Sequence, residues 1–163
     1  MLPGSGGEVS NVLYDNLEIH YPIWWAIYIG PQQQKQPGSG DGPGCLIYPI
    51  TGCVANELVT FKDITLRNIQ IYDSLLPPGI IRCNETNPCT GFVFDNVNAH
   101  GWWKYLRLSY IVENVYGTVT NSSPVPAYIT PDGDRYVGDD SMVQFVQMVA
   151  DYIKMLFKKI RDA

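Results

Sequence analysis

Four acidic residues, Asp15, Asp63, Asp73 and Asp95, stand beside short apolar alternations, where two carboxyls could make a paired acid/base site. One would act as the acid and the other as the base. Acids next to strand turns can equally be ordinary solvated side chains, so no catalytic set follows from them alone. His20 and His100 occupy matching places, each four residues after an asparagine (Asn16 and Asn96). An acid/base or metal role would require a carboxylate partner, and Asp15 and Asp95 are the nearest. Alternation along a strand puts His20 and Asp15 on opposite faces, apart from a turn at Asn16, so the pair reads as surface histidines. No metal site and no cofactor are predicted. Two tryptophan pairs, Trp24-Trp25 and Trp102-Trp103, can stack into an aromatic strip whose faces suit sugar rings. The competing reading is that one tryptophan of each pair turns inward and fills the interior.

The four cysteines fall into two close pairs, Cys45 with Cys53 and Cys83 with Cys89. Neither spacing is a zinc pattern, so two local disulfides are expected, and with them an oxidising compartment. The tripeptides Asn84-Glu85-Thr86 and Asn121-Ser122-Ser123 are acceptors for N-linked sugar and point to the same compartment. The N-terminus MLPGSGGEV carries no charged-then-apolar leader, and no apolar run is long enough to span a bilayer. Secreted features without a leader lead to the expectation that the chain is a fragment. Its 163 residues make one domain with 45 % hydrophobic and 17 % charged residues and a net charge of −5. Of the 11 basic residues, Lys154, Lys158, Lys159 and Arg161 crowd the C-terminus. The rest is thus more acidic still, which argues against nucleic acid as a partner.

These residues are positioned by a repeat. Asn11–Ile19 reads NVLYDNLEI, Ile64–Ile71 reads ITLRNIQI, Phe92–Ala99 reads FVFDNVNA and Tyr110–Gly117 reads YIVENVYG. Each is an apolar alternation with an asparagine (Asn16, Asn68, Asn96, Asn114) near its middle. A second short strand, as in Ala26–Gly30, Gly79–Asn84 and Tyr105–Ser109, follows each of the first three. Two strands per repeat predict stacked coils. The interval from Asn16 to Asn68 reads as one coil plus a loop or as two coils, and Leu58–Ile71 carries two overlapping versions of the pattern, VTFKDI and ITLRNI. Residues 31–44 form a polar Gly/Pro-rich loop. The division is 1–130 for the coils and 131–163 for a linker and a C-terminal amphipathic helix. That helix places Met142, Phe145, Val149, Tyr152, Leu156 and Ile160 at helical spacing, after Asp139, Asp140 and Ser141 at its cap.

The order GS-x-GG-EVSNVLYDNLEI…AIYIG…VTFKDITLRNIQI…GIIRCN…NPCTGFVFDNVNA…ENVYG resembles the C-terminal coils of pectin-lyase-like right-handed parallel β-helices, in particular the polygalacturonase-like proteins of glycoside hydrolase family 28. The resemblance covers about residues 4–120. It implies an all-β, right-handed parallel β-helix of three to four coils, closed here by the C-terminal helix. It implies that Asn16, Asn68, Asn96 and Asn114 form a ladder of side-chain amides, although an ordinary turn asparagine bonding its own backbone would look alike. The family's activity is inverting hydrolysis of pectin, carried by NTD, DD, GHG and RIK motifs. None stands in place here. Gly4-Ser5 matches the residues after the histidine motif, which would put the histidine and the acids before residue 1. Tyr28-Ile29-Gly30 stands where RIK is expected, and Asp139-Asp140 opens the helix.

The resemblance therefore implies a polygalacturonase-like protein of the cell exterior or cell wall, without its catalytic motifs and acting on pectin-type polysaccharide. The alternatives are a non-catalytic carbohydrate-binding or adhesion β-helix using Trp24, Trp25, Trp102 and Trp103, and a structural module whose C-terminal helix carries the partner site. Asp151 and Asp162 dilute that helix's basic face, which disfavours a membrane surface. Self-association through an exposed coil end or the helix is the remaining partner expectation.

Overall fold

The period-two alternation of these runs favours extended backbone, and the computed structural model describes residues 6–30, 55, 57–74, 77–100 and 110–126 as an all-β arrangement. Among the described residues there are seven strands: β1 (Gly7–His20), β2 (Ile27–Ile29), β3 (Val59–Tyr72), β4 (Gly79–Arg82), β5 (Cys89–His100), β6 (Ile111–Glu113) and β7 (Val115–Thr120). They make two sheets, one in the order β1-β3-β5-β7 and one in the order β2-β4-β6. All pairings are parallel. Successive strands alternate between the two sheets from β1 to β7, so each pass of the chain adds one strand to each. The C-terminal helix, residues 31–44, Cys45, Cys53, Trp102 and Trp103 lie outside the described residues.

The long strands are not simple alternations. Asn11, Asn16 and Tyr21 in and after β1, and Asp63, Asn68 and Asp73 in and after β3, all have φ between 51° and 57°. These are left-handed residues spaced five apart, and each group of four between them is extended. In β3 the buried side chains are Val59, Ile64, Leu66, Ile69 and Ile71, with Thr65, Arg67, Gln70 and Tyr72 between them. The module is thus in, out, in, out, corner. Its corner is where L-residues pay a steric penalty, least for asparagine and aspartate. In β5 the corner facing Asp63 is Gly91, at φ 66°, where an added Cβ would run into the Asp63 carboxylate.

Two features of the sequence acquire their explanation here. VTFKDI and ITLRNI are consecutive modules of one strand, with corners at Asp63 and Asn68. The long interval between Asn16 and Asn68 is a single pass, because Asp15 pairs directly with Arg67 and Leu17 with Ile69.

Parallel register stacks like positions above one another, so the core consists of columns. Tyr14, Leu66, Phe94 and Val119 make one, Leu17, Ile69 and Val97 another, and Ile19, Ile71 and Ala99 a third. From the second sheet Ile27, Ile81 and Val112 join the same cluster, and Tyr110 meets Phe94 edge-on at 5.4 Å between ring centroids. Burial is complete in β3 and β5 but fades at β1: Tyr14 and Leu17 sit in core columns yet are 47 % and 38 % exposed. A disulfide joins Cys83 to Cys89 across the turn between β4 and β5, with Cα atoms 5.7 Å apart and both residues buried. Such a bond fits an oxidising compartment.

The corner geometry makes a prediction at Asn68. Replacement by alanine or by glycine removes the same side-chain bonds, but only alanine adds a Cβ to a left-handed backbone. Asn68→Gly is therefore expected to be more stable than Asn68→Ala by roughly 1 kcal/mol. Denaturant unfolding of the two variants measures the difference, and equal midpoints would contradict the corner's role.

Candidate functional site

The module sends two side chains outward before each corner, and the parallel register aligns them into rows along the first sheet. Immediately before the central corner, the row is Asp15, Arg67, Asp95 and Thr120. Arg67 Nη2 donates to Asp15 Oδ2 at 2.6 Å, and Thr120 Oγ1 donates to Asp95 Oδ1 at 2.9 Å. At the corner itself Asn96 Nδ2 donates to Asn68 Oδ1 at 2.9 Å, and Asn68 Nδ2 donates to Asp15 Oδ1 at 3.1 Å. Asn98 Nδ2 extends the chain by donating to Asn96 Oδ1 at 2.8 Å. The donors all run toward β1, and the string ends on a carboxylate.

Beyond the corner lie two more rows. Glu18, Gln70 and Asn98 form the first. His20, Tyr72 and His100 form the second, with the tyrosine ring stacked between the imidazoles at centroid distances of 4.8 and 5.2 Å. His100 Nε2 lies 3.0 Å from Gln70 Oε1, to which it can donate, and His20 Nε2 lies 3.4 Å from Glu18 Oε2. Because Tyr72 stands between them, the two histidines do not converge on a common point. Among the described residues there is no cluster of three or more metal-ligating side chains.

The structure brings some of the sequence candidates together and separates others. Asn68 and Asn96 are bonded to each other, and Asn16 shares their corner and their left-handed backbone, but it is the carboxylate of Asp15 that receives the Asn68 amide. Asn114 lies on another corner, between β6 and β7, where its Nδ2 donates to the Cys83 carbonyl at 2.9 Å. The residue in register with Asn96 is Asn121, just after β7 and between the pairs Asp95–Thr120 and Asn98–Ser123, and it too is left-handed, with φ 47°. Trp24 and Trp25 part company. Trp25 is buried, its indole Nε1 without a partner among the described residues, whereas Trp24 is 37 % exposed near Tyr21 and Ile23, which are more exposed still.

Of the carboxylates singled out in the sequence, Asp63 and Asp73 serve as corners. Asp15 and Asp95 face the same arginine from either side. The hydrogen bond from Arg67 holds the Asp15 carboxyl below its ordinary range, outweighing a small cost of desolvation, and Lys62 does the same for Glu8. A general acid needs the opposite, a carboxyl held protonated near the working pH. What the rows offer instead is a regular array of amide, carboxylate, hydroxyl and guanidinium groups, spaced as neighbouring strands are, about 4.8 Å apart. Arg67, Gln70, Tyr72, Asn98 and Thr120 were not candidates in the sequence. The spacing of five between Asn11 and Asn16, and between Asp63 and Asn68, is the signal that places most of them, since it fixes which residues point out.

Compared with known proteins, the sequence matches no family model and no curated protein, and the fold matches no solved structure.

The charge pairing sets a pH dependence. A carboxyl whose pKa is lower folded than unfolded contributes stability above its unfolded value, and that contribution is lost as the pH falls through the folded one. Arg67→Gln removes the main cause of the Asp15 depression. The stability gap between the wild type and Arg67→Gln should thus be open above a pH of about 4 and close below it. Thermal unfolding across the acid range reads this directly, and a gap independent of pH would refute it.

Proposed function

We propose that the chain is a right-handed parallel β-helix related to the polygalacturonase-like glycoside hydrolases, and that its outer face binds pectin-type polysaccharide without cleaving it. The alternation of strands between two parallel sheets supports the helical winding, since parallel crossovers are right-handed with few exceptions. The observation that carries the binding reading is the in-register polar array. Asp15, Arg67, Asp95 and Thr120, then Asn68 and Asn96, then Glu18, Gln70 and Asn98 present hydrogen-bonding groups to solvent at one repeat distance. A polymer of hydroxyl-rich rings laid across these rows meets similar donors and acceptors at each step. The edges of the His20–Tyr72–His100 stack and the exposed Trp24 and Tyr21 offer apolar contact beside them.

Charge narrows the ligand. Lys62 and Arg67 are each engaged by an acid, Glu8 and Asp15, and the protein carries a net charge of −5. A polyanion would have to displace those acids, so methyl-esterified stretches fit better than free polygalacturonate. The setting would be the cell exterior or wall, with which the Cys83–Cys89 disulfide agrees. Affinity electrophoresis in gels containing esterified pectin should retard the protein. Asn98→Ala with Gln70→Ala should weaken retention about tenfold, equivalent to the loss of one or two hydrogen bonds. Release of new reducing ends would make it a hydrolase, and free migration in every glycan would exclude binding.

One observation favours a second reading, that of an interaction module. Among the described residues the core columns end at β1, where Tyr14, Leu17 and, on the outer side, Leu13 are exposed. A second copy continuing the same sheet would cover them. Sedimentation should then show self-association that Leu17→Lys abolishes, and a wild-type monomer across the concentration range would rule this out.

A further inference from the structure

Two acceptor tripeptides for N-linked sugar stand in the sequence, and their geometries differ. We propose that Asn84 is the glycosylated asparagine and that Asn121 is not. The proposal is independent of the glycan-binding reading.

Asn84 opens the turn between β4 and β5. Its Oδ1 accepts two hydrogen bonds from Thr86, one from the backbone N–H and one from Oγ1, both at 2.8 Å. This contact spans only two residues, so the segment can form it without the rest of the fold. The contact also matters chemically. A hydroxyl bonded to the amide oxygen draws electron density from nitrogen and acidifies its N–H, which helps the nitrogen lose a proton as it attacks. In the transfer, Asn84 Nδ2 bonds to the anomeric carbon of an oligosaccharide carried on a polyprenyl pyrophosphate. The bond from that carbon to the pyrophosphate oxygen breaks, the pyrophosphate leaves with the electron pair, and one Nδ2 proton passes to a base of the transferase.

The folded turn accommodates the product. One Nδ2 hydrogen is directed to the Ala55 carbonyl at 3.3 Å, which leaves the other position for the sugar, and Glu85 and Thr86 are exposed. The same turn is closed by the Cys83–Cys89 disulfide. Bond and sugar would thus be installed in the same oxidising compartment.

Asn121 has the greater exposure but the wrong local chain. Its backbone is left-handed, and no hydrogen bond joins it to Ser123. The third residue of its tripeptide is instead committed to the sheet: Ser123 N–H donates to the Val97 carbonyl at 3.0 Å, and its carbonyl accepts from Ala99 N–H at 2.8 Å. Pro124 follows and restricts Ser123 to extended backbone even in the unfolded chain.

The test is expression of the full chain behind a secretion leader in eukaryotic cells, fused to a reporter domain that is itself glycosylated. Whole-cell lysate is treated with peptide N-glycosidase, and peptides are mapped for the asparagine-to-aspartate conversion that marks a released sugar. Reading lysate makes the result independent of whether a variant folds. Conversion is expected at Asn84, absent in Thr86→Ala, restored in part by Thr86→Ser, and unaffected by Asn121→Gln. Glycosylation of the reporter with none at Asn84, or conversion at Asn121 with or without Asn84, would overturn the proposal.

Discussion

The first sheet depends on the left-handed corner that recurs at every fifth residue of β1, β3 and β5. Five is odd, and strand side chains alternate with period two. A plain strand repeating every five residues would therefore send equivalent side chains to opposite faces in successive modules. One residue in the left-handed region per module absorbs the odd step, much as a bulge does, and the alternation begins again with an inward residue. Val12, Leu17, Ile64 and Ile69 all occupy that first position after a corner. The corners are mostly asparagine and aspartate because those residues bear the conformation at least cost. Where the stack allows it, their side chains recover some of that cost by bonding to one another, as Asn96 does to Asn68. Tyr21 is the exception, a bulky side chain at φ 52° with 71 % exposure. A β-carbon and a bulky ring bear that conformation at greater cost than asparagine or aspartate does.

Parallel register then turns sequence into rows, and the rows obey electrostatics. Like charges stacked directly across strands repel. Here the acids Asp15 and Asp95 are separated by Arg67, and the two histidines by a neutral tyrosine ring. The same stacking that joins the three rings covers the faces of Tyr72, so the His20–Tyr72–His100 row offers edges and ring nitrogens to a ligand.

The sequence made the extended runs, the corner role of Asn16, Asn68 and Asn96, and the Cys83–Cys89 bond readable, because all are local properties of spacing and residue type. What was hidden depends on register. Asn114 and Asn121 are both asparagines after apolar runs, and only strand pairing assigns Asn121 to the Asn96 corner while Asn114 turns the chain beside Cys83. The outward rows were hidden for the same reason: Arg67 acquires its place between Asp15 and Asp95 only when strands far apart in sequence are aligned. Likewise, adjacency in a turn does not tell which of Trp24 and Trp25 points inward; packing against the core decides it in favour of Trp25.

The arrangement that makes the face regular also works against turnover on it. Hydrolysis between two carboxyls requires their environments to differ, so that one keeps its proton while the other is ionised. A row built by repetition gives its members similar surroundings. Asp15 and Asp95 both lie on the outer face on either side of one guanidinium, whose hydrogen bond favours the charged form of the Asp15 carboxyl. Breaking the symmetry would take burial of one acid, and the outward rows of this sheet bury none. Repetition suits a ligand that is itself a repeat, since each added sugar meets the next strand's groups at the next strand's spacing. On that argument the polymer-binding proposal rests on the same stacked architecture that gives the outward acids similar surroundings.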